Sequence, residues 1–260
     1  MKITICPDPT SLGREAALEA SEIIRNAINQ YGTARIVLST GESQFTTLEA
    51  LVGMPGIDWT RVEMFHLDEY VDLPSTHSAS FRRYLRERFV EKTQCGLVHY
   101  VDGTKENILE LTELIRSKPV HLGLIGIGQN AHIAFNDPPA DFDTDDAYII
   151  VNLNDTCKKQ QVYEGWFKTV DDVPKQAVSM SVKQIMKCQR IISAVPFDAK
   201  ANAIKLTLTN HLTNTIPATI LKTHPAFSLY ADWNSFSGVS LSEIVPASDE
   251  KEFSCRVILG

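Results

Sequence analysis

The segment His121–Pro139, with the sequence HLGLIGIGQNAHIAFNDPP, constrains the fold more than any other part of this chain. It begins with an apolar run, Leu122–Ile127, of the kind expected for a strand buried on both faces. Glycines interrupt the run, and polar side chains then follow closely: Asn130, His132, Asn136 and Asp137. An open parallel sheet binds its ligands beyond the carboxyl ends of its strands. The segment therefore predicts an enzyme whose active site includes this loop.

Composition fits a globular enzyme and argues against several other classes. The 260 residues carry a net charge of −7 and no polybasic block, so neither nucleic acid nor an anionic membrane surface is an expected partner. No apolar run approaches the length of a membrane span, and the start MKITICPDPT is too short and polar for a signal peptide. The five cysteines are scattered without a C-x-x-C pair, which is typical of free thiols in a reducing compartment. We therefore expect a cytoplasmic protein.

Strand-like and helix-like patterns alternate along the chain. The predicted strands are Lys2–Cys6, Ala34–Ser39, Arg61–Leu67, Leu97–Val101, Val120–Ile127, Ala177–Ser181, Arg190–Val195 and Phe227–Ala231, with Phe253–Leu259 as a candidate edge strand. The predicted helices are Leu12–Tyr31, Gln44–Leu51, Ser78–Glu91, Glu106–Arg116, Asp155–Trp166 and Ala199–His211. This alternation predicts a mostly parallel sheet with helices on both faces. Since neither a linker nor an internal repeat divides the chain, residues 1–260 are predicted to form a single domain.

Three further loops follow predicted strands and are expected at the same edge of the sheet. Ser39–Ser43 combines hydroxyls, a glycine and a helix start, which can bind an anion, although such residues more often only cap a helix. His66–Tyr70 carries the adjacent carboxylates Asp68 and Glu69, which are candidates for a general base or else a solvated pair. Pro196–Lys200 places a lysine at a helix start, where it opposes the helix dipole unless an anion binds there.

Together these segments resemble the glucosamine-6-phosphate deaminase/isomerase family over nearly the full chain. The matching stretches are Ser39–Ser43, Leu67–Pro74, Gly126–Pro138, Asp155–Thr156, Val173–Lys175, the helix start at Lys200, and Leu221–Pro225. HIAFN followed by an acid and Pro is the specific match, because the related 6-phosphogluconolactonases usually continue H-T-A-S in the equivalent loop. The resemblance implies a Rossmann-like three-layer α/β/α sandwich. It also implies conversion of a 2-amino-2-deoxyaldose 6-phosphate to a ketose 6-phosphate and ammonia, without metal or organic cofactor.

The resemblance assigns roles to individual residues. His132 would deliver the proton that opens the sugar ring, and Asp137 would orient and charge its imidazole. Asp68 would be the base that takes the C2 proton and returns it to C1. Glu69 is interpreted as support behind Asp68, although it is included among the candidate substrate-binding residues. These candidates are Thr40, Gly41, Glu42, Ser43, Gly128, Lys200 and Glu69, with Thr40, Gly41, Ser43 and Lys200 expected on the 6-phosphate.

The chain departs from well-known deaminases at several positions. Asn130 stands where they carry an acid two residues before the histidine, so it joins the catalytic candidates as a hydrogen-bonding group, not as a base. Asp137 is a shortened glutamate, and Ala131 replaces a glycine, so a positive φ there would be strained. An arginine that helps to bind phosphate in the deaminases has no clear counterpart. The candidate replacements are Lys158, Lys159 and Gln161.

Two other functional classes stay open from the sequence. A 6-phosphogluconolactonase-type hydrolase on the same scaffold would keep His132 but need no base at C2. A catalytically silent sugar-phosphate-binding protein is the second, for which Asn130 is the only sequence argument. The expected partner is a small-molecule sugar phosphate, while the configuration of the sugar at C4 and assembly into a homo-oligomer are left open.

Overall fold

A computed structural model of the protein describes residues 1–163, 165–246 and 253–259, and of Thr156 and Gln160 it describes the backbone alone. The strands are β1 (Lys2–Cys6), β2 (Ala34–Leu38), β3 (Val62–His66), β4 (Asp68–Tyr70), β5 (Leu97–His99), β6 (Leu122–Leu124), β7 (Tyr148–Asn152), β8 (Gln176–Met180), β9 (Ile191–Val195), β10 (Phe227–Asp232) and β11 (Ser254–Val257). Eight of them form a sheet in the order β11-β1-β10-β9-β6-β2-β3-β5. Every pair of neighbours in this sheet is parallel. The predicted parallel sheet is therefore confirmed, with β11 as the edge strand expected in Phe253–Leu259.

Helices cover both faces of this sheet. They are α1 (Pro9–Tyr31), α2 (Phe45–Val52), α3 (Phe81–Leu85), α4 (Glu91–Thr93), α5 (Lys105–Ser117), α6 (Asp155–Tyr163), α7 (Val182–Ile185), α8 (Ala201–Thr209) and α9 (Trp233–Phe236), with a π-helical turn, Arg86–Val90, joining α3 to α4. Successive residues of a buried strand point to opposite faces. In β2, Val37 accordingly packs in one core with Leu111 of α5, whereas Ile36 and Leu38 pack in the other with Ile24 of α1. The three-layer α/β/α sandwich is thus confirmed.

A second, smaller sheet was not predicted. Its three antiparallel strands lie in the order β4-β8-β7. The strand expected at Ala177–Ser181 exists as β8, but it belongs to this sheet and not to the parallel one. In β4, Asp68 and Tyr70 project from one face and Glu69 from the other, because side chains alternate along a strand. The expected loop after β3 is therefore a strand that fixes these three side chains.

The predicted strand Val120–Ile127 is shorter than expected. Its ladder spans only β6, although backbone hydrogen bonds at Val120, His121 and Ile125 still join its ends to neighbouring segments. The chain then leaves the sheet at Gly126, where the backbone N–H donates to the Ser39 hydroxyl at 3.1 Å. This exit starts the loop that the sequence singled out. None of the helices in the described part of the chain is both long and apolar enough to cross a membrane.

Candidate active site

A pocket of about 450 Å³ lies beyond the carboxyl ends of four neighbouring strands, β9, β6, β2 and β3. Its walls include Ser39–Ser43 after β2, Asp68 after β3, several residues of the loop after β6, and Lys200 after β9. These loops meet because the carboxyl ends of parallel strands lie at one edge of a sheet. A larger, more open groove of about 930 Å³ lies beside α1 at the opposite edge, and none of the predicted site residues lines it. The smaller pocket is therefore the candidate active site.

His132 is held by two polar side chains of its own loop. Its Nδ1 lies 2.5 Å from Oδ1 of Asn130 and 3.2 Å from Oδ1 of Asp137. The same oxygen of Asn130 accepts the backbone N–H of His132, which supports this orientation of the amide. Since both neighbours of Nδ1 are acceptors, Nδ1 carries the proton. Nε2 is therefore the nitrogen that can exchange a proton with a ligand.

The imidazole of His132 lies directly on the backbone of Gly128. A Cβ at Gly128 would lie 2.2 Å from both Cε1 and Nε2 of the ring, so only glycine leaves room for it. The loop is also strained, with φ of 63° at Ala131 and 51° at Ala134. Non-glycine residues persist in this conformation where surrounding contacts hold them, and such strain is concentrated at functional sites. At Ala131, the backbone N–H donates to Gly128 and the carbonyl accepts the N–H of Ala218, both at 2.9 Å.

Asp137 supports the imidazole from behind and is not among the residues that line the pocket. Partial burial alone would raise the pKa of Asp137, but hydrogen bonds from His132, Asn130 and Asn154 outweigh burial and lower that pKa below its ordinary value. The Asn154 amide donates to Asp137 Oδ2 at 3.0 Å and accepts the N–H of Cys157 at the start of α6. The carboxylate lies 3.2 Å from Nδ1 and so fixes the orientation of the His132 ring. This geometry fits the orienting role expected for Asp137.

Asp68 faces the pocket with its carboxylate unoccupied. Its side chain is 6% exposed, and burial, followed by the negative charge of Glu69, raises the pKa of Asp68 to about 8. None of the described residues donates a hydrogen bond to either of its oxygens. A carboxylate that is desolvated and bound to no donor is a stronger base than one in water. Asp68 therefore stays the candidate base that the sequence predicted.

Glu69 was wrongly included among the substrate-binding residues. Its side chain is fully buried and projects from the face of β4 opposite to Asp68. The carboxylate accepts hydrogen bonds from the backbone N–H groups of Tyr70, Phe81 and Arg82, from the Ser80 hydroxyl, and from the Arg82 guanidinium. Glu69 thus ties β4 to the start of α3. Its interpretation as support behind Asp68 agrees with these contacts.

The loop Ser39–Ser43 has the geometry of an anion cradle. Gly41 has φ of 102°, which favours glycine, and a 3-10 turn, Glu42–Gln44, follows and leads directly into α2. Among the described residues no side chain caps this turn, so the alternative that its hydroxyls serve only as a helix cap loses support. Backbone N–H groups at such a helix start are suited to an anion. The carboxylate of Glu42, which is exposed, lies on the pocket wall as well.

Lys200 approaches the same pocket from the other side. It ends a 3-10 turn, Asp198–Lys200, and immediately precedes α8, as the sequence predicted. The turn begins after Phe197, whose φ is 80° and whose N–H donates to Asp232 at 3.1 Å. A non-glycine residue held in this conformation is a further sign of a functional constraint.

Several residues of the pocket wall were not predicted. Five of them are aromatic: Phe81, Phe135, Tyr163, Trp166 and Phe197. Of the three candidate replacements for the family arginine, Gln161 lines the pocket and the two lysines do not. The aromatic residues come from distant parts of the chain, and only Phe135 and Phe197 lie in loops that the sequence singled out. Within the described residues no three His, Cys, Asp or Glu side chains could hold a metal ion, and the expectation of no metal stays a prediction.

Comparison with known proteins decides the family. The model of a family described as glucosamine-6-phosphate isomerases/6-phosphogluconolactonase matches residues 7–229. The chain belongs to this family. The resemblance inferred from the sequence motifs is therefore confirmed.

Named relatives and solved structures agree with this membership. A glucosamine-6-phosphate deaminase of Staphylococcus epidermidis is 35% identical over 216 residues, covering 79% of this chain and 87% of that protein. One of Oenococcus oeni is 32% identical and covers 84% and 92%, respectively. The structure of a monomeric glucosamine-6-phosphate deaminase superposes with a TM-score of 0.83 at 25% identity, covering 92% of this chain and all of that one. A 6-phosphogluconolactonase of Trypanosoma brucei, with a TM-score of 0.72 at 16% identity and coverage of 92% and 98%, shares the fold.

Replacing Asn130 with aspartate is expected to move the pH dependence of kcat/KM to higher pH. The new carboxylate would keep both acceptor contacts with His132 and add a negative charge that stabilises the imidazolium. Asn154→Ser is the matched control, because it removes a donor from Asp137 without adding charge, and serine still suits the start of α6. Overlapping profiles for the wild type and Asn130→Asp would show that Asn130 is not coupled to proton transfer.

Proposed function

We propose that this protein is an aminosugar-phosphate deaminase that converts glucosamine 6-phosphate, or a close 2-amino-2-deoxyhexose 6-phosphate, to a ketose 6-phosphate and ammonia. The observation that carries the proposal is the unoccupied, desolvated carboxylate of Asp68 in the same pocket as His132. Removal of a proton from carbon needs such a base, whereas hydrolysis of a lactone does not. The deaminases among the relatives support the same choice.

In the proposed reaction, His132 acts first. Its imidazolium, held by Asp137, donates the Nε2 proton to the ring oxygen, the C1–O bond of the ring breaks, and the C1 hydroxyl releases its proton to solvent, which leaves an open-chain aldehyde. Asp68 then takes the C2 proton and returns it to C1, while the amino group loses a proton and the C1 oxygen gains one, so that the amino aldehyde becomes the C2 imine of the ketose. Water hydrolyses the imine to the ketose and ammonia. Binding of the phosphate holds the sugar in place beside His132 and Asp68. Such positioning raises the effective concentration of the reacting groups.

A panel assay tests the proposal. Purified protein is incubated with the 6-phosphates of glucosamine, galactosamine and mannosamine, and with 6-phosphogluconolactone, and ammonia, ketose and acid are measured. We expect equal amounts of ammonia and ketose from at least one aminosugar phosphate. Acid release from the lactone without ammonia from any aminosugar would identify a hydrolase. Binding without turnover of any compound would identify a sugar-phosphate-binding protein.

Replacing Lys200 with alanine is expected to raise KM for the sugar phosphate far more than it lowers kcat. A hydrogen bond to a charged group contributes about 1.5–3 kcal/mol, so the rise in KM is expected to be roughly 10- to 100-fold. Lys205→Ala is the matched control, since Lys205 lies on the exposed face of the same helix. Free glucosamine should be a very poor substrate of the wild type. Similar kcat/KM values for glucosamine with and without phosphate would contradict this role.

We also propose that the protein is cytoplasmic and that its partner is a sugar phosphate. Formation of a homo-oligomer is a hypothesis that a measurement of molecular size in solution can test. The metabolic names of the relatives support the first two. All five cysteines lie within the described residues, and none of them forms a disulfide there, which suits a reducing compartment.

A further inference from the structure

Gln161 lines the pocket, and one end of its amide has no hydrogen-bond partner among the described residues. The residue lies on α6 and lines the pocket, yet only 9% of its surface is exposed. Its Oε1 accepts a hydrogen bond from the Tyr70 hydroxyl at 2.7 Å. Among the described residues, none accepts a hydrogen bond from its Nε2. A buried amide that served only the fold would have both ends satisfied.

Tyr70 fixes the orientation of this amide. Its ring is fully buried and contacts Phe81, Phe135 and Phe167 at centroid distances of 5.1, 5.3 and 5.5 Å. A ring packed in this way cannot move to follow the amide. Because its hydroxyl occupies Oε1, the two N–H donors of Gln161 are left for another acceptor.

Tyr70, which holds the Gln161 amide, and Asp68, the expected base, lie on the same strand, β4. Asp68 and Tyr70 are two residues apart in β4, and their side chains project from the same face. A ligand oxygen bound to Gln161 would therefore be positioned relative to the Asp68 carboxylate by a rigid element. Precise placement of this kind is what proton transfer at carbon requires.

We propose that Gln161 contacts the substrate, donating hydrogen bonds from Nε2 to an oxygen of the sugar phosphate, and that Tyr70 is a positioning residue that holds the amide for this contact. This inference rests on the proposed function, which supplies the sugar phosphate. The acceptor is either a hydroxyl or a phosphoryl oxygen, and both are matched by a neutral N–H donor.

The experiment compares Gln161→Glu and Gln161→Met with the wild type. A glutamate side chain has the same length and still accepts the Tyr70 hydroxyl, but it replaces the Nε2 donor with a negatively charged oxygen. A methionine side chain has a similar length and no polar amide. We measure KM for glucosamine 6-phosphate, Ki for inorganic phosphate and Kd for fructose 6-phosphate. The Kd is obtained from the change in tryptophan fluorescence, because Trp166 lines the pocket. Lys159→Gln is the matched control, because it changes the charge by the same amount at an exposed position of the same helix.

We expect Gln161→Met to weaken sugar-phosphate binding roughly tenfold and Gln161→Glu to weaken it more. Tm should stay unchanged in Gln161→Glu and should fall in Gln161→Met, which removes the acceptor of the buried Tyr70 hydroxyl. Tyr70→Phe should weaken binding less and in the same direction. A parallel rise in Ki for inorganic phosphate assigns the contact to the phosphoryl group, and an unchanged Ki assigns it to a sugar hydroxyl.

Binding of fructose 6-phosphate within twofold of the wild type by both Gln161 variants would overturn the inference. So would an equal loss in Lys159→Gln. If the wild type binds fructose 6-phosphate but releases no ammonia from any aminosugar phosphate, the proposed function fails, and the binding data still decide the role of Gln161. If the wild type binds no sugar phosphate, both are wrong.

Discussion

Replacing Asp68 with asparagine is expected to remove most turnover and at the same time to stabilise the folded protein at neutral pH. General base catalysis contributes ~10²–10⁴-fold, and asparagine cannot accept the C2 proton, so kcat should fall by about that factor. In the wild type, we expect kcat/KM to rise with pH up to about 8, because burial and the charge of Glu69 raise the pKa of Asp68 to about 8.

The stability effect follows from the direction of the same shift. The ordinary pKa is 3.8 and the folded value is about 8, so between these values the folded protein keeps a proton that the unfolded chain releases. The free energy of unfolding contributed by Asp68 therefore falls as pH rises through this window, and the cost is fully present above about pH 8. The neutral amide of the Asp68→Asn variant does not ionise and has no such cost. Denaturant unfolding from pH 4 to pH 9 should show the variant gaining stability over the wild type as pH rises.

Glu69→Gln is the matched control at the neighbouring position. The Glu69 carboxylate accepts hydrogen bonds from three backbone N–H groups, the Ser80 hydroxyl and the Arg82 guanidinium, and an amide would replace an acceptor with a donor that opposes them. We expect this variant to lose stability, since a buried donor left without an acceptor costs about 1–3 kcal/mol. Equal stability changes in the two variants, or wild-type turnover in Asp68→Asn, would contradict the roles assigned to the two carboxylates.

Replacing Gly128 with alanine is expected to reduce kcat/KM by ~10²–10⁴-fold, the range of a lost acid–base group, with little change in Tm. The new Cβ would lie 2.2 Å from Cε1 and Nε2 of His132, so the imidazole must leave its position. Gly126→Ala is the matched control in the same loop. Its Cβ would lie 3.3 Å from Nε2 of Gln44, the end of a flexible side chain, and the activity should fall much less. The two variants behaving alike would show that the position of the His132 ring is not what limits activity.

The parallel sheet could be predicted from the sequence because its strands are short apolar runs that alternate with amphipathic helices. The meeting of the four loops then followed from sheet geometry alone, since the carboxyl ends of parallel strands share an edge. The start of α1 was predicted three residues late. Asp8 caps this helix by accepting the N–H groups of Thr10 and Ser11, and Pro9 occupies its first turn, so the signal was present in the sequence.

The smaller sheet and the wall of the pocket could not be predicted in the same way. β4 pairs with β8, which is more than a hundred residues away, and three residues of β4 carry no strand pattern of their own. The run Tyr148–Val151, in contrast, is rich in β-branched residues and could have been assigned as a strand. The roles of Glu69 and Gln161 depend on which face of an element each occupies, and tertiary contacts set this. Two adjacent carboxylates in the sequence therefore have opposite surroundings in the fold.

The most direct test of the central claim is to follow the reaction of glucosamine 6-phosphate in D₂O by NMR, with ammonia measured in the same samples. If Asp68 moves a proton between C2 and C1, the wild type should form ketose 6-phosphate and ammonia in equal amounts, with solvent deuterium entering C1 of the ketose. Asp68→Asn should form neither product at a comparable rate. Ketose and deuterium incorporation at wild-type rates in Asp68→Asn, or the absence of both products from the wild type, would contradict the account.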